Sequence, residues 1–127
     1  MSKGVVGIGT DIAEVNRFEQ ILLKNKEAFF IRVLTKKEQE RLSQKKHQAP
    51  HLAGLYAAKE AVSKALGTGL YPVLPTEIEI VKDEAGKPGI LLTGKANEKA
   101  KELNIEEVQI SISHEREYAV AFAIALG

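Results

Sequence analysis

A chain of 127 residues, 44% of them hydrophobic and four of them proline, has the size of one compact domain, residues 1–127, and can bury about two-thirds of its unfolded surface. The lack of cysteine excludes disulfides, thiolate nucleophiles and cysteine-ligated zinc, and no apolar run reaches membrane-spanning length. The net charge of +1 hides an asymmetry: residues 1–50 hold ten Lys or Arg against six Asp or Glu, and residues 51–127 hold eight against eleven. The N-terminal part can therefore offer a basic surface to an acidic partner. Its few aromatics, Phe18, Phe29 and Phe30, argue against a base-stacking platform and so against nucleic acid. Met1-Ser2-Lys3 leads only into a short apolar segment broken by Gly7 and Gly9, so no signal peptide is expected and the protein reads as soluble and cytoplasmic.

Gly4 to Gly9 reads as a short β-strand, followed by a helix over about 12–25 on which Ile12, Val15, Phe18, Ile21 and Leu22 recur at helical spacing. Asp11 stands at the junction, where it can cap the helix with Glu14 three residues later, or present a carboxylate from a strand end to a metal ion. Gly7-Ile8-Gly9 is not a dinucleotide fingerprint, because Ile12 occupies the place of its third glycine. Phe29 to Leu34 is an apolar segment of open type. Thr35-Lys36-Lys37-Glu38 is a capping-box signature for a basic helix running to about Lys46. His47 and His51 are four apart, but Pro50 between them favours a helix start there over a metal pair on one helix. The longest helix runs from about Pro50 to Leu66. Glu77 to Val81 and Ile90 to Leu92 alternate as strands of a hairpin across the turn-rich Asp83 to Gly89, and a short helix covers about Lys95 to Leu103. Val108, Ile110 and Ile112 form a third strand of that sheet. The last strand, Tyr118 to Leu126, sets large Val120, Phe122, Ile124 and Leu126 opposite Ala119, Ala121, Ala123 and Ala125, so both faces need cover, by the long helix or by another subunit. The fold class is α+β.

Chemistry concentrates on the long helix, where Lys59, Glu60 and Lys64 interrupt a run otherwise built mainly of Ala, Val and Leu. Glu60 and Lys64 are four apart and share a face, with Tyr56 one turn earlier and Ser63 beside them. Gly67-Thr68-Gly69 then stops the helix and offers flexible backbone with exposed amides, a setting suited to phosphate or a metal ion. With Asp11 and with His114 at a later strand end, two carboxylates and a lysine can hold a hard divalent ion against a phosphate. Two other classes compete: a noncatalytic binding module in which the basic helices grip RNA or an acidic protein and Glu60 and Lys64 are merely structural, and a hydrolase using Ser113 and His114. The latter is disfavoured because adjacent strand residues point to opposite faces.

Gly7-Ile8-Gly9-Thr10-Asp11 with Arg17, Lys59-Glu60-Ala61, Lys64-Ala65, Gly67-Thr68-Gly69, Gly86-Lys87-Pro88 and Ser111-Ile112-Ser113-His114 together resemble the motifs of the bacterial holo-[acyl-carrier-protein] synthases, a 4′-phosphopantetheinyl transferase family. The resemblance runs from end to end. It implies a mainly antiparallel sheet wrapped around a long central helix, and a homotrimer with active sites between subunits. It further implies transfer of 4′-phosphopantetheine from coenzyme A to a serine of apo acyl carrier protein, releasing adenosine 3′,5′-bisphosphate, in support of fatty acid biosynthesis. By the same resemblance Asp11 and Glu60 would hold Mg²⁺, while Glu60, Lys64 and His114 would be catalytic, the base being Glu60 through a water or His114 directly. Lys59, Lys64, Gly67, Gly69, Lys87, Pro88, Ser113 and His114 would contact coenzyme A. Arg17, Arg32 and Lys36 would dock the acidic carrier protein. Leu55 departs from the family, which often has an arginine there that helps to bind the nucleotide, so another cation would have to serve.

Overall fold

The computed structural model describes residues 4–127. Chain order is β1 (Val5–Glu14), α1 (Val15–Lys24), α2 (Lys26–Val33), α3 (Lys36–Ser43), α4 (Gln48–Ala65), a single 3₁₀ turn (Pro75–Glu77), β2 (Ile78–Lys82), β3 (Pro88–Leu92), α5 (Gly94–Glu102), β4 (Glu107–His114) and β5 (Tyr118–Leu126). This is the α+β architecture expected, with antiparallel strands laid against a long central helix.

The first strand is longer than its sequence suggests. Every residue from Gly7 to Glu14 is paired with β5, which keeps Ile12 to Glu14 extended and delays α1 to Val15. Pairing across the sheet overrides the local capping signal. Asp11 is therefore a strand residue and caps no helix, and α1 begins without a side-chain cap. Ile12, expected on the helix, lies on the outer face of the strand and is exposed. The segment of open type, Phe29 to Leu34, forms most of α2 and ends just beyond it, with Phe29 edge-on to Phe18 at 5.9 Å. The capping box is present: Glu38 N donates to Thr35 Oγ1 at 3.2 Å, and Thr35 N donates to Glu38 Oε1 at 2.8 Å. The helix it opens stops at Ser43, short of Lys46.

The strands form two sheets rather than one. β2 and β3 pair only with each other, whereas β4 joins β5 and β1 in the order β1-β5-β4, so β4 is not the third strand of the hairpin sheet. The alternation of β5 explains its central place. Ala119, Ala121, Ala123 and Ala125 are fully buried, and so are Ala57, Ala58 and Ala61 of α4, the helix packed on this sheet. Small side chains on both surfaces let helix and strand approach closely, a fit that an added methylene would disturb at about 1–3 kcal/mol. Val120 and Phe122 on the other face stay 42% and 40% exposed, and Ile8 and Ile12 of β1 are 61% and 62% exposed. An apolar sheet face thus remains uncovered in the single chain. No helix among the described residues is long and apolar enough to cross a membrane.

Candidate active site

Close packing of β1 on α4 sets the geometry. A Cβ on Gly7 would collide with the Ala65 carbonyl, and one on Gly9 with the Ala61 carbonyl and, at 2.9 Å, with Ala65 N. These glycines are required by a main-chain contact, which agrees with the rejection of a dinucleotide turn. Two residues on, on the same face of the strand, Asp11 comes level with the preceding turn of α4. Lys64 reaches back along the helix, as helical side chains do, and donates to Thr10 O at 2.9 Å and to Asp11 Oδ1 at 3.3 Å. Its side chain is 49% exposed and that of Asp11 19%, so the pair is open to solvent on the Lys64 side.

Glu60 lies one turn before Lys64. The Tyr56 hydroxyl meets both Glu60 and Arg17, and its pKa is pushed up, first by burial and then by the Glu60 carboxylate, with the Arg17 guanidinium opposing. Tyr56 therefore remains a phenol and can donate to Glu60. Arg17 stacks at 5.0 Å over the Tyr56 ring and 5.3 Å over Phe18. Arg17, Tyr56, Glu60 and Arg32 line one open cavity of about 1170 Å³, flanked by Leu70 and Leu74; Lys36, at the start of α3, does not border it.

The glycine segment serves differently from the expectation. Gly67 N donates to Lys64 O at 2.9 Å, Thr68 N to Ser63 O at 3.1 Å and Gly69 N to Ser63 O at 3.2 Å, so these amides satisfy the helix end and are not free for a phosphate. Gly67 and Gly69 are at φ 77° and 68°, values that glycine adopts without strain, and the space beside both is open.

Lys59 is a correction. It is fully buried, and its ammonium donates to Glu38 Oε1 at 2.8 Å, Pro75 O at 2.9 Å and Ile78 O at 2.7 Å. All three protons are used inside the protein, so Lys59 cannot contact coenzyme A. Glu38 Oε2 accepts from Ile80 N at 2.7 Å, Thr35 Oγ1 donates to Glu79 Oε2 at 2.9 Å, and Arg41 donates to Ile80 O. This network ties α3, α4 and β2 together. The capping box at Thr35 and Glu38 and the charge of Lys59 in an apolar helix were its sequence signals, and nothing in the spacing linked Glu38 to Lys59.

A second set of residues gathers on the other flank of α4. His114, at the end of β4, packs edge-on against His51 with ring centroids 4.7 Å apart at 72°, and a Cβ on Gly54 would lie 3.9 Å from it. His47 is the capping residue of α4 and His51 lies within the helix, so the two do not share a helical face as a metal pair would. His51 and His114 line a cleft of about 540 Å³ with Arg41, Lys45, Leu55, Lys82 and Pro88. Ser113 points from the opposite face of β4, and Lys87 is exposed in the hairpin turn, where its backbone N donates to Asp83 Oδ1 at 2.8 Å; neither lines the cleft of this chain. Leu55 stands on the cleft wall with three cations around it.

The two flanks are distinct. Ala13, Ala119 and His114 form one row across β1, β5 and β4, which places His114 two strand spacings, about 10 Å, from β1. The helix lies between them on the sheet, with Glu60 and Lys64 toward β1 and His51 and Leu55 toward β4.

Residues 7–123 match the family profile of the 4′-phosphopantetheinyl transferase superfamily. The chain belongs to this family. A holo-[acyl-carrier-protein] synthase of Caldanaerobacter subterraneus subsp. tengcongensis is 49% identical over 120 residues, 94% of each chain. Among solved structures, the Plasmodium yoelii acyl carrier protein synthase with ADP bound has a TM-score of 0.89 at 39% identity, covering 100% of this chain and 98% of that one. The Helicobacter pylori holo-[acyl-carrier-protein] synthase in complex with coenzyme A has a TM-score of 0.82 at 33% identity, covering 93% and 98%. The phosphopantetheinyl transferase motifs read from the sequence accordingly fall on both flanks of α4, and the transferase is an α+β enzyme.

Proposed function

We propose that the protein transfers 4′-phosphopantetheine from coenzyme A to a serine hydroxyl of apo acyl carrier protein, with Mg²⁺, leaving adenosine 3′,5′-bisphosphate, in support of fatty acid biosynthesis in the cytoplasm. The observation that carries the reading is the contact of Asp11 with the half-exposed Lys64, one helical turn from Glu60. Names and bound ligands of the relatives support it: coenzyme A sits on the Helicobacter pylori synthase.

Among the described residues no three His, Cys, Asp or Glu side chains converge on one point. A pair of carboxylates is a donor set that suits Mg²⁺, which usually takes one or two of them and fills its shell with phosphate oxygens and water. Asp11 and Glu60 would hold the ion, which when bound would neutralise the pyrophosphate of coenzyme A. Lys64 stabilises charge that develops on the leaving phosphate, and it is already held at the Asp11 carboxylate. Tyr56, with Arg17 stacked on its ring, faces the Glu60 carboxylate, which takes the serine proton through a water. His114 is the weaker base in this reading, because within one chain it sits on the far flank of α4.

The same separation supports a homotrimer with active sites between subunits. The carboxylate flank and the histidine flank can meet in one site only if a second copy supplies one of them. The exposed apolar face of β1 and β5, with Ile8, Ile12, Val120 and Phe122, is a surface such a copy would cover. Pro88 and His114 then contact coenzyme A from a neighbouring chain. Arg32 and Arg17 edge the cavity beside Glu60, and with Lys36 they receive the acidic carrier protein.

The test is mass spectrometry of apo acyl carrier protein incubated with coenzyme A, Mg²⁺ and the protein, read for the gain of one phosphopantetheine. Asp11→Asn and Glu60→Gln should each abolish the gain while leaving the circular dichroism spectrum intact. Full transfer by both variants would refute the carboxylate assignment.

A further inference from the structure

The cleft on the β4 flank has a charge balance that the transfer chemistry leaves unused. Arg41 faces it from α3, Lys45 from the segment after α3, Lys82 from β2 and His114 from β4. Glu38, the carboxylate in its lining, is committed to Lys59 Nζ, Thr35 N and Ile80 N. Neither Lys45 nor Lys82 forms an ion pair among the described residues. On its other side His51 borders a hollow where Lys46, His47 and Arg116 oppose Glu19 and Glu115. Within the cleft itself, uncompensated positive charge surrounds His51.

His51, with the His114 ring packed on it, is the member of this group whose charge can adapt near neutral pH. In the free protein its pKa is held below the ordinary histidine value, first by burial and then by His114, Lys45 and Lys82. Those same cations make the cleft attractive to a phosphate, and a phosphate dianion brought there reverses the field His51 feels. Leu55 on the wall adds no charge, so recognition falls on the side chains around it.

We infer that His51 is a phosphate-binding residue of this cleft, which takes up a proton as an adenosine bisphosphate enters and pairs its imidazolium with a ligand phosphate alongside Lys45 and Lys82. This rests on reading the cleft as the site for the nucleotide end of coenzyme A. The sign follows from linkage. A group that is more basic in the complex than in the free protein takes up a proton on binding, so affinity rises as pH falls through the interval between its two pKa values.

The probe is adenosine 3′,5′-bisphosphate, which has no pantetheine to transfer, measured by calorimetry with the full-length wild-type protein and with His51→Gln. At about pH 6 the variant should bind roughly three- to tenfold more weakly than wild type, and at about pH 8 the two should agree within about twofold. Repeating the titration in buffers of different ionisation enthalpy should show less proton uptake by the variant. An NMR titration of the wild-type His51 ring, which needs no variant, should show its pKa rise when the bisphosphate is added. A pH dependence equal in the two proteins, or a His51 ring that titrates identically with and without ligand, overturns the inference alone. Wild-type protein that binds neither the bisphosphate nor coenzyme A overturns the assignment of the cleft and this inference with it.

Discussion

Lys59→Met tests whether the first residue of the Lys59-Glu60-Ala61 motif is architectural. Methionine keeps a stem of similar length and removes the ammonium, depriving Pro75 O and Ile78 O of its hydrogen bonds and leaving Glu38 Oε1 with Thr35 N alone. Breaking a buried pair by removing one partner costs about 3–5 kcal/mol. Glu38 still accepts from Thr35 N and Ile80 N, which softens the loss of the ammonium, while the two stranded carbonyls add to it. A central value of about 4 kcal/mol is a large share of the roughly 5–15 kcal/mol that holds a domain of this kind together. At about 4 °C per kcal/mol for a chain of this length, the melting temperature should fall by about 15 °C. Urea unfolding followed by far-ultraviolet circular dichroism should show a lower midpoint with an unchanged slope. Transfer per folded molecule, measured in the cold, should stay within about threefold of wild type. Replacing both Lys59 by Met and Glu38 by Leu should cost less than Lys59→Met alone, since no buried charge is then unpaired. A loss of stability below about 1 kcal/mol, coupled to a raised KM for coenzyme A, would refute the reasoning and return Lys59 to the ligand.

Gly9→Ala should cost about 3 kcal/mol or more in urea unfolding, because its Cβ would strike main-chain atoms of α4 that cannot rotate away. Arg32→Glu or Lys36→Glu should raise the KM for acyl carrier protein by about three- to tenfold and leave that for coenzyme A within about twofold, as steady-state kinetics at low salt would measure. An unchanged carrier KM would count against a basic docking face. Folded His51 has a pKa below its unfolded value, so the unfolded chain binds more protons and stability falls as pH drops below about 6.5 toward the folded value. Denaturant midpoints across that interval should decline less in His51→Gln than in wild type.

Legibility followed the range of the interaction. The capping box at Thr35 and Glu38, the β2-β3 hairpin, the last strand with its alanine row and the long helix were readable because each is set by neighbours in sequence. The length of β1 was not, since nine pairings with a strand more than a hundred residues away hold Ile12 to Glu14 extended. The partition into two sheets was hidden for the same reason: alternation identifies a strand but does not name its partner. In the site, Asp11, Glu60 and Lys64 were found by charge in unexpected places, and the structure does bring Asp11 and Lys64 into contact. Lys59 carried the same signal with a different meaning, because sequence records that a charge lies in an apolar helix and not whether it faces solvent or a buried carboxylate. His51 was noticed only for its distance from His47. Its neighbour across the fold, His114, comes from β4.

The contact of Gly7 and Gly9 with the Ala61 and Ala65 main chain bears on how well the site keeps its dimensions. Side chains interposed between a strand and a helix act as springs, each with rotamers to explore as temperature rises. Here polypeptide backbone rests on polypeptide backbone, and the contact has no side-chain torsion to relax. The distance from the Asp11 strand to the Lys64 helix is thus a property of the main chain, insulated from the rotamer disorder that loosens side-chain packing in other parts of the domain.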